Sequence, residues 1–328
     1  MFTKKNHKIH IVIKDHVFRF IESTQANLES LQTYGERYLP PGVIREGKII
    51  ERETLTMILS EIIDELKLRG RKVQFFVPDA YVVIRKIQIP VDIPDDEIMG
   101  YLFLELGESI HLPFEDPQFD YSIVQKGEEQ TEIVLVASQR NLIEEYATVL
   151  RDIKLKPIVV DVSSLSVYRL LHTLKMVDQD EHLMLLQFDI QAVNVTIFHQ
   201  DIPQFTRHLK LNLDHDLWEV KKSEDGIQKL FWIGEQEEID GQIQDIVTEV
   251  DRMLNFYRYS VNQGRVGVSK ILLTGDYPKL DYVVSILKKS VDLSVEQLSE
   301  AATSTRSGAE IPMRFHELVG LALKSEVQ

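Results

Sequence analysis

Residues 185–198 read LLQFDIQAVNVTIF, two apolar runs with one carboxylate, Asp189, where the first run ends. A run apolar on both faces fits a strand in the middle of a sheet, and a tight turn then leads into a second buried strand. A carboxylate at such a turn either faces a ligand mouth or bonds its own downstream backbone, as Asp commonly does in turns. The chain opens on a similar stretch, KIHIVIKDHVFRFIES at residues 8–23. There Ile9, Ile11 and Ile13 alternate, Lys14 and Asp15 break the run, and Phe18 and Phe20 alternate again. This predicts a β-hairpin. Two such hairpins, one at the start and one from residue 183, predict an α/β chain of two related halves.

Composition narrows the function classes. The 328 residues, 44% of them hydrophobic, exceed one ordinary core and predict two domains or more. The balance of 37 basic against 52 acidic residues gives a formal charge of −15. That charge repels phosphate backbones and anionic lipid, and predicts no nucleic-acid partner. With no cysteine there is no disulfide framework, thiolate nucleophile or thiolate metal site, which fits a reducing cytoplasm. The start of the chain has no apolar core of signal length, and no uncharged run approaches a membrane span.

Along the chain, Leu55, Leu59, Ile62, Ile63 and Leu66 stand at helical spacing ahead of Gly70, the expected C-cap. Short β-rich segments follow to Pro90. Pro94, with Asp95, Asp96 and Glu97 beside it, predicts a helix start, and the helix is expected to run to about Ser109. Strands at QFDYSIV and TEIVLVAS, a helix carrying Leu142, Ile143, Tyr146 and Leu150, and a strand at KPIVVDV make residues 86–162 a compact α/β insert. In the second half, Ile243, Ile246, Val247, Val250, Leu254 and Tyr257 mark a long amphipathic helix. A buried strand then turns at Gly275, and the last helix packs through Phe315, Leu318 and Leu321. No P-loop, no pair of helical histidines at zinc spacing and no Gly-x-Ser-x-Gly elbow is present.

Paired hairpins and a glycine turn before a late helix are the arrangement that grips a nucleotide in actin-like folds. The segments LPPGVIREGKI, IPVDIPDDEIMGYLFLELGESIHLPFEDPQFDYSIV, EIVLVASQRNLIEEYATVLRDIKLKPIVVDV, DIPQFTRHLKL, VTEVDRMLNFYRYS and HELVGLALK, in this order and spacing, make the chain resemble the PilM family. These are actin-like, FtsA-related proteins of type IV pilus assembly, and the resemblance runs from about residue 8 to the last helix. It implies an actin-like two-domain fold with four subdomains around a central cleft. Residues 1–85, with 163–180 and 312–328 packing on them, would form the first subdomain and 86–162 the FtsA/PilM-type insert. Residues 181–205 and 265–311 would form the second actin-like subdomain, and 206–264 its outer subdomain.

The departures from the family pattern fall where a nucleotide would sit. The first hairpin of family members carries an acid, an apolar residue and a glycine, with a lysine further on; here the positions read Val12, Ile13, Lys14 and Arg19. In the second hairpin Asp189 is kept, but the expected glycine is Gln191. The late glycine pair is Gly275 followed by Asp276, and Glu249 and Arg252 match positions that approach the adenosine. Phosphates reach backbone N–H groups of such turns only where no side chain intrudes, so ATP with Mg²⁺ is expected to bind weakly or not at all. The residual site would comprise Lys14, Asp189, Glu249, Arg252 and Gly275, with Asp189 now holding its own turn.

The resemblance further implies a cytoplasmic scaffold, not an enzyme and at most a weak ATPase, of a pilus, competence pseudopilus or secretion machinery. Its partner would be a PilN-like bitopic inner-membrane protein, whose cytoplasmic N-terminal tail docks between the first subdomain and the insert. Pilus motor or platform proteins and a second copy of the chain are further expected partners, and protein partners would bring the chain to the inner membrane. Leu102, Leu104, Leu106 and Phe114 are the apolar candidates for the tail contact. The alternatives are a sugar-kinase-like enzyme, which needs the phosphate glycines intact, and an FtsA-like division protein, for whose amphipathic anchor LALKSEVQ is expected to end too soon.

Overall fold

The first hairpin forms where alternation predicts it: β1 (Lys8–Lys14) and β2 (Val17–Ser23) pair antiparallel, with Ile11 opposite Phe20. The structure, a computed structural model, describes residues 7–222, 228–299 and 302–325. Residues 1–6, 223–227, 300–301 and 326–328, which fall within the segments assigned above, lie outside the described residues. β3 (Leu31–Tyr38) continues the sheet, and a minute hairpin of β4 (Ile44–Arg45) and β5 (Lys48–Ile49) leads to α1 (Arg52–Glu65). α1 stops before the glycine expected to cap it. Lys67 takes the left-handed conformation at φ 56°, and the Leu68 N–H bonds back to the Ile63 carbonyl at 2.9 Å, which turns Leu68 into the core. β6 (Lys72–Phe76) then pairs parallel to β1.

The insert begins with β7 (Val83–Pro90), continues through α2 (Ile98–Glu105) and β8 (Pro117–Lys126), and closes with β9 (Gln130–Gln139). Its three strands run in the order β7-β9-β8, all antiparallel. Side chains on β9 alternate: Ile133 and Leu135 pack under α2 with Ile98 and Leu102, whereas Val134 and Val136 face the first half. α2 is shorter than expected. Its acidic approach is a turn closed by the Glu97 N–H on the Pro94 carbonyl, and past Glu105 the chain folds back on the Glu105 carbonyl rather than continuing.

α3 (Arg140–Asp152) and β10 (Lys156–Asp161) do not belong to the insert, contrary to the boundary at 162. β10 pairs parallel to β6, and Tyr146, Val149 and Leu150 of α3 lie in the core of the first sheet. The insert therefore ends near residue 139. α4 (Ser163–Thr173) follows β10 toward the second half.

That half repeats the first. β11 (Leu183–Phe188), β12 (Ala192–His199) and β13 (Ile202–Lys210) form an antiparallel meander. β14 (Trp218–Lys222), β15 (Gln228–Trp232) and α5 (Gln236–Asn255) form the outer decoration. β16 (Lys270–Gly275), α6 (Leu280–Ser290), β17 (Ser294–Gln297) and α7 (His316–Ala322) complete the chain. Since β13 extends to Lys210, residues 206–210 belong to this sheet and not to the outer subdomain. The two five-stranded sheets run β10-β6-β1-β2-β3 and β13-β12-β11-β16-β17, the same order with the same strand directions, as expected for related halves.

α4 and α7 occupy matching places, each after the last strand of its sheet, and they cross between the halves. Their contact is so close that a Cβ on Gly320 would lie 1.9 Å from the Ser166 carbonyl oxygen, so only glycine fits. Around them one core gathers residues of both sheets, including Val12, Ile21, Leu185, Leu272 and Leu318. The halves are packed together at this end, and the cleft opens at the other.

Candidate functional site

The tips of β1–β2, β11–β12 and β16 meet at the floor of the cleft, and side chains that replace glycines there contact one another. Lys14 extends across to the second half, its Nζ 2.8 Å from Asp189 Oδ2, 2.9 Å from Glu317 Oε1 and 3.9 Å from Asp276 Oδ2. Arg19, fully buried on β2, donates to Asp276 Oδ2 at 2.6 Å and to Glu36 Oε2 at 2.9 Å. Arg314 grips Glu36 from the far side, and His16 Nε2 stands 3.1 Å from Asp276. The charged departures from the nucleotide-binding pattern thus find counter-charges: Lys14 in the retained Asp189, and Arg19 in Asp276.

The charges are mutually enforced. Burial works against the Lys14 ammonium, but Asp189, Asp276 and Glu317 outweigh it and hold its proton above the ordinary lysine range. Burial would raise Asp276, yet Lys14, Arg19 and His16 keep it well below the usual carboxylate range. Asp189 moves the other way, pushed up by burial and by the neighbouring Asp276 charge. Burial also lowers His16 and His208.

The role expected of Asp189 is corrected here. Its Oδ2 accepts from Lys14, whereas the turn is closed by the Asp189 backbone N–H on the Ala192 carbonyl at 2.9 Å. Gly275 is a packing glycine: at φ 130°, a Cβ there would lie 2.2 Å from the Phe188 carbonyl oxygen on β11. Glu249 and Arg252 pair with each other one helical turn apart on α5, and neither lines the cleft cavity. Glu36, Glu317 and Arg314, which complete the cluster, were not singled out from sequence. Glu317 had a signal: it sits in a helix whose every residue is buried, where a carboxylate needs a partner. Asp15, at the first hairpin turn, accepts the backbone N–H groups of Glu46 and Gly47 and so fastens the β4–β5 turn over the cleft. From there Glu46 reaches Lys210 of β13 at 2.6 Å.

What space remains is a cavity of about 270 Å³, lined among others by Lys14, Asp79, Asp189, Asn194, His208 and Glu317. It lies near the lower end of the roughly 300–1,000 Å³ of ordinary ligand pockets. Its carboxylates outnumber its cations, and Lys14 fills the turn where backbone N–H groups would cradle phosphate.

A second opening lies beside the cleft. It measures about 750 Å³ and runs between the insert and the first half, from Val134 and Val136 on β9 and residues 118–124 on β8 to Ile143, Val160 and Leu165. Ile202 and Pro203 of the second half close one end, and Asp120, Asp161, Arg169, Asp201 and Lys324 bring charge to its rim. β8 is an edge strand here, with a paired neighbour on one side only. The apolar residues proposed from sequence for a partner do not line this groove. Leu102 is fully buried under the opposite face of the insert sheet, Leu106 and Phe114 are half-buried, and Leu104 is 75% exposed on the outer side of α2. They lie on the other face of the insert sheet, because alternation along β9 separates two faces without saying which one borders a groove.

A family model described as type IV pilus assembly protein PilM matches residues 15–310. The chain belongs to the PilM family. Among solved structures, the fold is similar to that in a PilM-PilN type IV pilus biogenesis complex, with a TM-score of 0.74 and 22% identity over 96% of this chain and 97% of that one. It is similar also to ethanolamine utilization protein EutJ from Carboxydothermus hydrogenoformans, with a TM-score of 0.51 and 9% identity over 97% and 89% of the two chains. No curated protein matches. The actin-like α/β fold and the assignment to type IV pilus assembly are thereby established for this PilM-family chain. Among the described residues no helix is long and apolar enough to cross a membrane, and no cluster of side chains is arranged to hold a metal.

Proposed function

We propose that this PilM-family chain is a non-catalytic scaffold that receives the cytoplasmic N-terminal tail of a PilN-like bitopic inner-membrane protein in the groove between the insert and the first half. The observation that carries the reading is the groove itself: roomy, walled by branched aliphatic side chains, and bordered by the open edge of β8. An extended tail would satisfy its backbone on that edge while apolar side chains anchor on Val134, Val136 and Ile143. Membership of the PilM family and the similarity to a PilM-PilN complex support this choice of partner. The ion-paired cleft supports a scaffold without nucleotide turnover.

The test mixes the purified chain with a fluorescent peptide of the partner's tail and follows anisotropy. Saturable binding that falls at least about tenfold in Val136→Arg, with an unchanged far-UV spectrum, is the expected result. No binding, or binding indifferent to that substitution, defeats the groove as the site.

A further inference from the structure

α5 ends in a stretch whose charge runs against that of the chain. Acidic residues outnumber basic ones by 52 to 37, yet the run between Asp251 and Asp276 has no Asp or Glu and carries Arg252, Arg258, Arg265 and Lys270. Arg252 is paired with Glu249 and Lys270 with Glu296, whereas among the described residues neither Arg258 nor Arg265 has an ion-pair partner. Both are exposed, and large apolar side chains stand among them: Phe256, Tyr259, Val261 and Val266 are 45%, 60%, 46% and 43% exposed.

The loop holds these groups outward in a fixed shape. Its backbone widens into a π turn over Phe256–Val261, and the Gly264 N–H closes it on the Arg258 carbonyl at 2.8 Å. Buried Tyr257 anchors it from below, its hydroxyl 2.7 Å from His182 Nδ1. The Arg258 guanidinium lies 5.5 Å over the Tyr259 ring, and its stem packs beside Gly267, so the charge stays next to the aromatic surface. Phe256 packs on Phe205 of β13, ring centres 5.5 Å apart, two residues past the Pro203 that closes one end of the groove.

Arginines interleaved with tyrosine and aliphatic side chains match the headgroup region of an anionic bilayer. Guanidinium groups pair with lipid phosphates, a tyrosine ring sits at headgroup depth, and apolar side chains enter the acyl boundary. The formal charge of −15 does not forbid this, because carboxylates more than about 8 Å from the contact are largely screened at physiological salt. The other exposed apolar strip has the opposite surroundings: Met99, Phe103 and Leu104 of α2 stand among exposed Asp96, Glu97 and Glu108, which anionic lipid repels. We infer that the 256–266 loop seats directly on anionic lipid, with Arg258 and Arg265 on phosphates and Tyr259, Val261 and Val266 in the interface. A patch of this size supplies one of the two signals that stable anchoring takes, so its binding is weak and reversible. The inference does not rest on the groove, since vesicles carry no tail, and the two readings fail separately.

Co-sedimentation with vesicles tests it. The full chain is expected to bind vesicles of equal parts phosphatidylglycerol and phosphatidylcholine at least about tenfold more tightly than pure phosphatidylcholine, and to come off as salt rises. Arg258→Glu/Arg265→Glu and Tyr259→Ser/Val266→Ser are each expected to weaken binding at least about fivefold, with unfolding midpoints close to that of the wild type. The chain has no cysteine, so an environment-sensitive dye can be placed at one position at a time. On Val261→Cys it is expected to brighten with anionic vesicles, and on Leu104→Cys to stay unchanged. No binding up to about 10 mM anionic lipid, or binding indifferent to both double variants, assigns the loop to an acidic protein surface and overturns the inference. Equal brightening at the two dye positions overturns it as well.

Discussion

The cleft and the groove lie side by side, share Val77 in their walls, and are built on opposite principles. The cleft is the deeper position in an actin-like fold, yet it is filled by its own charges, with Lys14 and Arg19 reaching from the first half to Asp189, Asp276 and Glu317 of the second. The groove is wider and carries its charge only at the rim. In this chain the floor of the cleft holds a cross-brace, and the wider space lies between the first half and its insert. Lys14, standing where family members carry a glycine, is one end of that brace.

The sharpest way to break the contrast is to remove one partner of the brace. Asp276→Ala leaves Arg19 and Lys14 buried without their shared counter-charge and is expected to cost about 3–5 kcal/mol in urea unfolding. A loss under about 1 kcal/mol would mean that the brace is not formed in solution. Replacing Arg19 and Asp276 together by Met and Leu is expected to restore most of that loss.

Acidification comes next, because it acts on the histidines of the cleft and of the cores beside it. His16 and His208 line the cleft with pKa values lowered by burial, and no histidine lines the groove. Buried His10 on β1, lowered to about 3, and His316 on α7, lowered to about 4, act in the same sense. The unfolded chain takes up these protons near pH 6.5 and the folded one only at lower pH. Their contribution is therefore complete above about pH 6.5 and is lost as the pH falls toward 4 and 3, by up to about 1.4 kcal/mol per pH unit for each group. Unfolding midpoints between pH 7.5 and 5 measure this, and His10→Gln is expected to flatten the slope. A flat profile in the wild type would contradict the burial described here.

Nucleotide is expected to do less. A dissociation constant no better than about 0.1 mM limits the stabilisation by 1 mM ATP with Mg²⁺ to about 1.4 kcal/mol, and calorimetry with micromolar affinity would reverse the reading of the cleft. The smallest effect on stability is reserved for the groove. Val136→Thr is expected to change unfolding by less than about 1 kcal/mol while weakening tail binding, the reverse of what any brace residue does.

Much of this was legible in the sequence, for reasons that differ by element. β1, β2, β11 and β12 were readable because alternation and buried runs are local. The membership of β10 in the first sheet was not, because its parallel pairing with β6 joins residues some 80 positions apart and leaves no mark on either segment's periodicity. The odd residues of the cleft, Lys14, Arg19 and Asp276, were visible as departures, but their pairing was not, since a charge announces its need for a partner without saying which one. The same holds for Leu104: its apolarity was read correctly, and only the packing of α2 decided that it faces outward while Leu102 faces in.

The crossing of α4 and α7 carries a last consequence, for synthesis. α7 covers the first hairpin as well as α4, so the first sheet gains part of its cover from residues made roughly 300 positions later. At about 5–20 residues per second, roughly 15 to 60 s separate the two. During that interval Val12 and Ile21 present an uncovered apolar face, and the nascent first half is a substrate for whatever chaperone attends the ribosome exit until α7 arrives.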